Sequence, residues 1–243
     1  MPRCLIADDG LPYCWGSPAG YPSELVLPHV VDTRGAMTKR ILLSVSSDNR
    51  AGVAVVPRSF SDVKAANPFF GDIGWAAGVG ITKGFDAETF HPATRIDRQA
   101  MSAFVFRAMN PGIPDPVCDP AKTRLWTDVP ATSPFCGTAE WLKTAGIATG
   151  TKYRPADPTT RSTMANMLFR AHHPGIPDRK CATKAKRPFK DVAVSTAACG
   201  NIKWLARTGI ASGYTDGGYR PAEAVSRDAM TAFLHRRDTL AKA

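Results

Sequence analysis

Apolar positions recur along three stretches of the chain at the three- and four-residue spacing of a helix buried along one face. Met101, Phe104, Val105 and Ala108 form one stripe, Met164, Met167, Leu168 and Ala171 a second, and Met230, Phe233 and Leu234 a third. Each stripe opens behind an oxygen-bearing residue and an arginine: Asp97-Arg98, Thr160-Arg161 and Ser226-Arg227. Asp, Thr and Ser share an oxygen that accepts the unsatisfied N–H groups of a first turn, which predicts the helix N-cap. A shorter helix is predicted upstream of each, as in Phe135, Ala139, Leu142 and Ala145. Asn67-Pro68 and Ser133-Pro134 place a capping side chain before a proline at the first helical position. Gly80, Gly146 and Gly209 close these helices as left-handed C-terminal caps. In the loop that follows, Phe90, Tyr153 or Tyr219 stands just before Pro92, Pro155 or Pro221 and is expected to plug the core.

The three stretches are copies of one unit. Phe60-Ser-Asp62-Val63, Trp126-Thr-Asp128-Val129 and Phe189-Lys-Asp191-Val192 step by 66 and 63 residues. Trp75, Trp141 and Trp204 step likewise, as do Gly80-Ile-Thr-Lys-Gly84, Gly146-Ile-Ala-Thr-Gly150 and Gly209-Ile-Ala-Ser-Gly213. Beyond those glycines the order reverses: Arg98, Arg161 and Arg227 lie 63 and then 66 residues apart. One shortening explains the switch, since residues 150–155 form a loop three residues shorter than 84–92 and 213–221. A two-helix unit cannot bury its stripe alone, so the copies are expected to pack around a shared axis. Near-identical connectors, Asn110-Pro-Gly-Ile-Pro-Asp115 and His173-Pro-Gly-Ile-Pro-Asp178, fix the angle between units.

Four segments follow: a β-rich stretch at 1–57, then repeats at 58–115, 116–178 and 179–243. In the first, Cys4 and Cys14 flank Asp9-Gly10, a hairpin signal that sets the two cysteines across from each other. Ile41-Leu-Leu-Ser-Val and Gly52-Val-Ala-Val-Val are strand-like. The other cysteines, Cys118/Cys136 and Cys181/Cys199, are each 18 residues apart at matching places in two repeats. Without a close Cys-x-x-Cys pair they do not read as a zinc site. They are either two equivalent disulfides or four buried thiols; disulfides imply an oxidising compartment. The start of the chain lacks a secretory pattern, so a truncated N-terminus is expected. No apolar run approaches the length of a membrane span. A formal charge of +10 favours a polyanionic partner without choosing among nucleic acid, membrane surface and acidic glycan.

The combination of Phe-x-Asp-Val, Trp, Gly-Ile-x-x-Gly, aromatic-x-Pro and Asp/Thr/Ser-Arg over residues 58 to 238 resembles a triplet of S-layer homology domains. Ser226-Arg-Asp-Ala-Met-Thr-Ala-Phe-Leu-His-Arg236 resembles the variant of actinobacterial surface proteins. Residues 1–57 resemble one repeat of a β-propeller of the regulator-of-chromosome-condensation type. The resemblance implies a mainly α fold: a pseudo-threefold prism of helix-loop-helix repeats with a small N-terminal β segment. It also implies a non-catalytic module that anchors a secreted protein to the cell surface through an anionic wall polysaccharide held in grooves between repeats. No cofactor, metal, nucleic acid or membrane insertion is expected, and the oligomeric state is left open.

Arg98, Arg161 and Arg227 are the foremost candidates for glycan contact. Each follows the N-cap, where backbone N–H groups and the helix dipole favour an anion. Their other reading is an ion pair with Asp62, Asp128 or Asp191. The family's motif carries a glutamate that falls here on Ala100, Thr163 and Ala229, which puts the family's usual pyruvylated sugar in question. Trp75, Trp141 and Trp204 either stack on sugar or pack the core. Gly84, Gly150 and Gly213 are turn residues that also allow close approach of a ligand. Lys83, Lys152, Arg154 and Arg220 flank the grooves. His172-His173 has no counterpart in the other repeats, and no phosphate-binding loop or nucleophile elbow occurs. The competing class is a protein-interaction module with the repeats as spacers.

Overall fold

The protein is described here by a computed structural model covering residues 60–182, 187 and 189–242, together with the backbone of five strands ahead of them. The chain divides into two compact units, Met1–Phe90 and His91–Ala243. Among the described residues the fold is mainly α, with six helices that form three successive pairs along the chain.

The first unit holds strands β1 (Arg3–Ile6), β2 (Pro12–Trp15) and β3 (His29–Val30) in one antiparallel sheet, and β4 (Arg40–Val45) with β5 (Ala51–Val56) in another. The β1–β2 register sets the backbone of Cys4 opposite that of Cys14. The Asp9-Gly10 turn and the Cys4–Cys14 side chains lie outside the described residues. Helix α1 (Phe70–Gly78) follows. It ends in a Schellman cap: Ile81 N–H donates to Ala76 O (2.8 Å) and Gly80 N–H to Ala77 O (3.2 Å), with Gly80 at φ +80°. Phe60 and Phe90 are buried with ring centroids 5.4 Å apart.

The second unit contains α2 (Arg98–Met109), α3 (Cys136–Thr144), α4 (Arg161–His172), α5 (Cys199–Arg207) and α6 (Arg227–Lys242). Two expectations about helix starts need correcting. Proline does not open α1 or α3; each begins two residues later, at Phe70 and Cys136. Asn67 and Ser133 instead close a tight turn, accepting Phe69 N–H (2.8 Å) and Phe135 N–H (3.3 Å) on their side chains. Their carbonyls accept Phe70 and Cys136 N–H in three-residue steps. The long helices are also buried on more than one face. Met101 through Phe106 are six consecutive buried residues. The hydroxyl of Ser102 on α2 meets that of Thr138 on α3 at 2.7 Å.

A closed ring of backbone hydrogen bonds joins the starts of α2, α4 and α6. Ile96 N–H donates to Val225 O, Val225 N–H to Thr159 O, and Thr159 N–H to Ile96 O, each at 2.9 Å. The helix starts that follow donate in the opposite cyclic order. Arg98, Arg161 and Arg227 donate their N–H groups to Asp157 O, Glu223 O and Thr94 O at 2.8–2.9 Å. Gln99, Ser162 and Asp228 donate theirs to Pro155 O, Pro221 O and Pro92 O. Asp97 and Thr160 cap the third N–H group through their side chains, as expected. At α6 the cap differs: Asp228 accepts Ala229 N–H (2.7 Å) and the Ser226 hydroxyl.

The connectors are held down by charge, by sulfur and by missing side chains. Arg107 Nε donates to Asp115 and Arg170 Nε to Asp178, each at 2.9 Å. Buried Asn201 accepts Arg179 N–H (2.9 Å) and donates to Asn166 (2.9 Å) and Asp178 (3.0 Å). Disulfides join Cys118 to Cys136 and Cys181 to Cys199, with Cα atoms 5.7 and 5.6 Å apart. The glycine after each helix cysteine permits this contact. A Cβ on Gly137 would lie 1.8 Å from Pro116 O, and one on Gly200 2.2 Å from Arg179 O. The two disulfides therefore fasten equivalent connectors onto α3 and α5.

Each disulfide closes an 18-residue span, which in the chain-entropy model stabilises the fold by about 3 kcal/mol. Replacing Cys181 and Cys199 together by Ser is expected to lower unfolding free energy by that order in urea titrations followed by circular dichroism. A loss below about 1 kcal/mol would show that the Asn201 network holds the connector without the sulfur bridge.

Candidate functional site

In the second and third repeats the motif aspartates act on backbone rather than on the arginines. Asp128 accepts Tyr153 N–H (2.7 Å) and Arg154 N–H (2.8 Å), and Asp191 accepts Tyr219 N–H (2.8 Å) and Arg220 N–H (2.6 Å). In the first repeat, Asp62 accepts Phe90 N–H (2.8 Å). This pinching matters because Arg154 and Arg220 sit at φ +56°, a left-handed conformation that costs a side-chain-bearing residue on the order of 1–2 kcal/mol. Burial alone would raise the Asp128 and Asp191 carboxyls. The backbone donors outweigh it and hold both below their ordinary value of 3.8. The alternative of Asp–Arg ion pairs is thereby replaced by a clamp on the loop.

The clamp aims the loop carbonyl at the preceding repeat. Tyr153 O accepts Arg98 Nε and Tyr219 O accepts Arg161 Nε, both at 2.6 Å. The tyrosine hydroxyls return the bond to the arginine carbonyls at 2.6 and 3.1 Å. The guanidinium carbons stand over those rings at 4.7 and 4.5 Å. Burial raises both phenols above their ordinary pKa, and the nearby guanidiniums oppose this. Arg161 and Arg227 are buried, while Arg98 is half-buried. Arg227 also approaches the Phe104 ring, at 5.6 Å. The first-turn N–H groups that the sequence offered to an anion are already bonded to the neighbouring loops and caps. What remains available at this place is side chain.

Between α2 and the loop of the second repeat lies a cleft of about 510 Å³, lined by Arg98, Thr151, Lys152, Tyr153, Arg154, Asp157, Pro158, Thr160 and Thr163. Three cations face one carboxylate. Among the described residues none of Arg98, Lys152 and Arg154 enters an ion pair. Thr160 and Thr163 join hydroxyls at 2.9 Å on the cleft wall, and Thr163 occupies the position where the family motif has glutamate. Such a surface suits an anion that also carries hydroxyl groups. Lys152 and Arg154 were legible in the sequence as flanking charges. Thr151, Asp157, Thr160 and Thr163 were not, although the shortened loop at 150–155 marked where to look.

The other sequence candidates lie elsewhere. Trp141 packs edge-on against Phe106 (5.1 Å), and Trp204 against Phe169 (5.5 Å) with His172 and His173 beside it. Trp204 is buried, whereas Trp75 and Trp141 are half-buried. Gly84 and Gly213 have positive φ and abut Phe60 and Phe189; an added Cβ would lie 2.7 and 2.4 Å from those rings. Gly150 has φ +109° but its nearest neighbour, Lys152 O, would be 3.9 Å away. Cys118, Cys136 and Glu140 lie close enough to suggest a metal cluster, but the two sulfurs are bonded to each other.

The S-layer homology domain model matches residues 59–102, 127–165 and 188–231, more than half of the chain, and the chain belongs to that family. Such domains are non-catalytic modules that generally anchor proteins to cell-wall polysaccharides at the cell surface. No curated protein matches the chain. No helix among the described residues is long and apolar enough to cross a membrane.

The clamp gives a pH dependence with a definite sign. A carboxyl held below 3.8 when folded stabilises the fold fully above that value, and the contribution is lost as pH falls through the lower folded-state value. Urea stability should therefore fall steeply on the acid side of pH 3.8. Asp128→Asn should flatten that limb and cost about 1–3 kcal/mol at neutral pH, since one N–H group loses its acceptor. An unchanged acid limb in the variant would remove Asp128 from this role.

Proposed function

We propose that this chain, as a member of the S-layer homology family, holds a protein on the bacterial surface by binding an anionic wall polysaccharide in the cleft of Arg98, Lys152 and Arg154. The observation that carries this reading is the set of three cations, none in an ion pair among the described residues, around one open cleft. Its threonine hydroxyls complement sugar hydroxyls, and its openness admits a polymer. Nucleic acid is disfavoured because the cations line a cleft rather than a helix face or an aromatic platform.

Within this reading Arg98 serves twice. Its Nε fixes the loop of the second repeat, while the rest of the guanidinium lines the cleft. Arg161 and Arg227 are assigned first to holding the ring of loops. Trp75, Trp141, Trp204, Gly84, Gly150 and Gly213 are assigned to packing and turns within the repeats rather than to the cleft. The cyclic hydrogen bonding supports the pseudo-threefold arrangement expected of the family.

Retention on purified sacculi tests the proposal. Lys152→Gln with Arg154→Asn removes two charges while keeping a residue type that tolerates positive φ at 154. Each charge-assisted contact contributes about 1.5–3 kcal/mol, so binding should weaken about tenfold or more. Extraction of the non-peptidoglycan polymer should abolish it for the wild type. Equal retention of the variant, or retention on stripped sacculi, would favour a protein-interaction module instead.

A further inference from the structure

The place equivalent to this cleft, where α4 meets the loop of the third repeat, is built differently. Where residues 150–153 read Gly-Thr-Lys-Tyr, residues 213–219 read Gly-Tyr-Thr-Asp-Gly-Gly-Tyr. The three additional residues bring in Tyr214 and Asp216. The Tyr214 ring centroid lies 5.0 Å from the Arg161 guanidinium carbon and 3.8 Å from that of Arg220. Its hydroxyl meets Glu223 at 3.1 Å. Arg220, the counterpart of Arg154, pairs with Asp216 at 3.5 Å and Glu223 at 3.7 Å, and Lys190 pairs with Asp216 at 3.7 Å. Tyr214 N–H donates to Gly218 O (2.8 Å) and Gly217 N–H to Tyr214 O (3.0 Å), so the ring stands on a hydrogen-bonded turn.

We propose that Tyr214 is a built-in plug that closes the Arg161 groove, leaving the Arg98 cleft as the polysaccharide site of residues 91–243. The inference rests on the anchoring reading above and assigns its specificity to loop length. In the Arg98 cleft the short loop supplies no ring beyond Tyr153, the counterpart of Tyr219, and no second carboxylate, and Lys152 and Arg154 enter no ion pair among the described residues. In the Arg161 groove the ring lies over both guanidiniums and the carboxylates neutralise Arg220. An entering anion would have to displace cation–π contacts and ion pairs together. The same repeat thus gives an adhesive groove in one copy and a sealed one in the next.

The test uses the full chain on Gram-positive sacculi that retain their non-peptidoglycan polymer. Lys152→Gln/Arg154→Asn disables the open cleft and lowers retention about tenfold. Adding Tyr214→Ala to that background should recover at least threefold by uncovering Arg161 and Arg220. Adding Tyr214→Phe should recover nothing, because the ring stays in place. Asp216→Asn in the same background frees Lys190 and removes one of the two carboxylate partners of Arg220 while keeping the ring, and should recover about twofold. No gain from either Tyr214→Ala or Asp216→Asn, in variants whose circular dichroism matches the parent, overturns the plug while leaving the anchoring cleft standing. Wild-type retention by Lys152→Gln/Arg154→Asn overturns both.

Discussion

The first-turn N–H groups of α2, α4 and α6 have nowhere to go within their own helices, and the structure resolves this by exchange. Each helix start donates two N–H groups to the loop of the next copy, in a cycle that closes on itself. None of these helices has a satisfied N-terminus without its neighbour. The loops are therefore held at fixed distance from the helices by backbone, whose geometry does not depend on which side chains the repeats carry. That independence lets the copies differ in loop length and surface chemistry while keeping one frame.

The frame in turn explains the unusual backbone. To present the Pro92, Pro155 and Pro221 carbonyls to the helix of the preceding copy in the cycle, the chain turns through a left-handed residue at His91, Arg154 and Arg220, each at φ +56°. Glycine would enter that conformation at lower cost. A carboxylate accepting the adjacent N–H groups allows a side chain there instead, and in the second repeat that side chain is a cation on the rim of the cleft. The clamp and the cleft are one construction, since the residue that needs stabilising also lines the cleft proposed for the polysaccharide.

Much of this was legible in residue spacing. Three copies, their caps, the left-handed glycines at 80, 146 and 209 and the matched cysteines follow from periodicity and from the few residue types each position accepts. The role of the motif arginines was only half legible. Their position after the N-cap suggested anion binding by nearby N–H groups, but a single repeat in isolation does not reveal that its neighbour already uses those groups. The aspartates entered the sequence reading only as alternative partners of these arginines; Asp128 and Asp191 serve a left-handed backbone that residue spacing does not reveal. The start of α1 and α3 was missed because Asn-Pro and Ser-Pro satisfy a tight turn as readily as a first helical turn.

Net charge is a poor guide to adhesion here, because many cations are already engaged. Arg107 and Arg170 lock connectors, Arg124 meets Glu140, and Arg220 and Lys190 meet carboxylates of their own repeat. The charge able to attract a polyanion is what internal pairing leaves over, and it gathers where the shortened loop has lost its acidic residue. On the proposed reading recognition is set by subtraction: three residues fewer in one loop leave out a ring and a carboxylate, and Lys152 and Arg154 stand beside the arginine that every copy places after its N-cap.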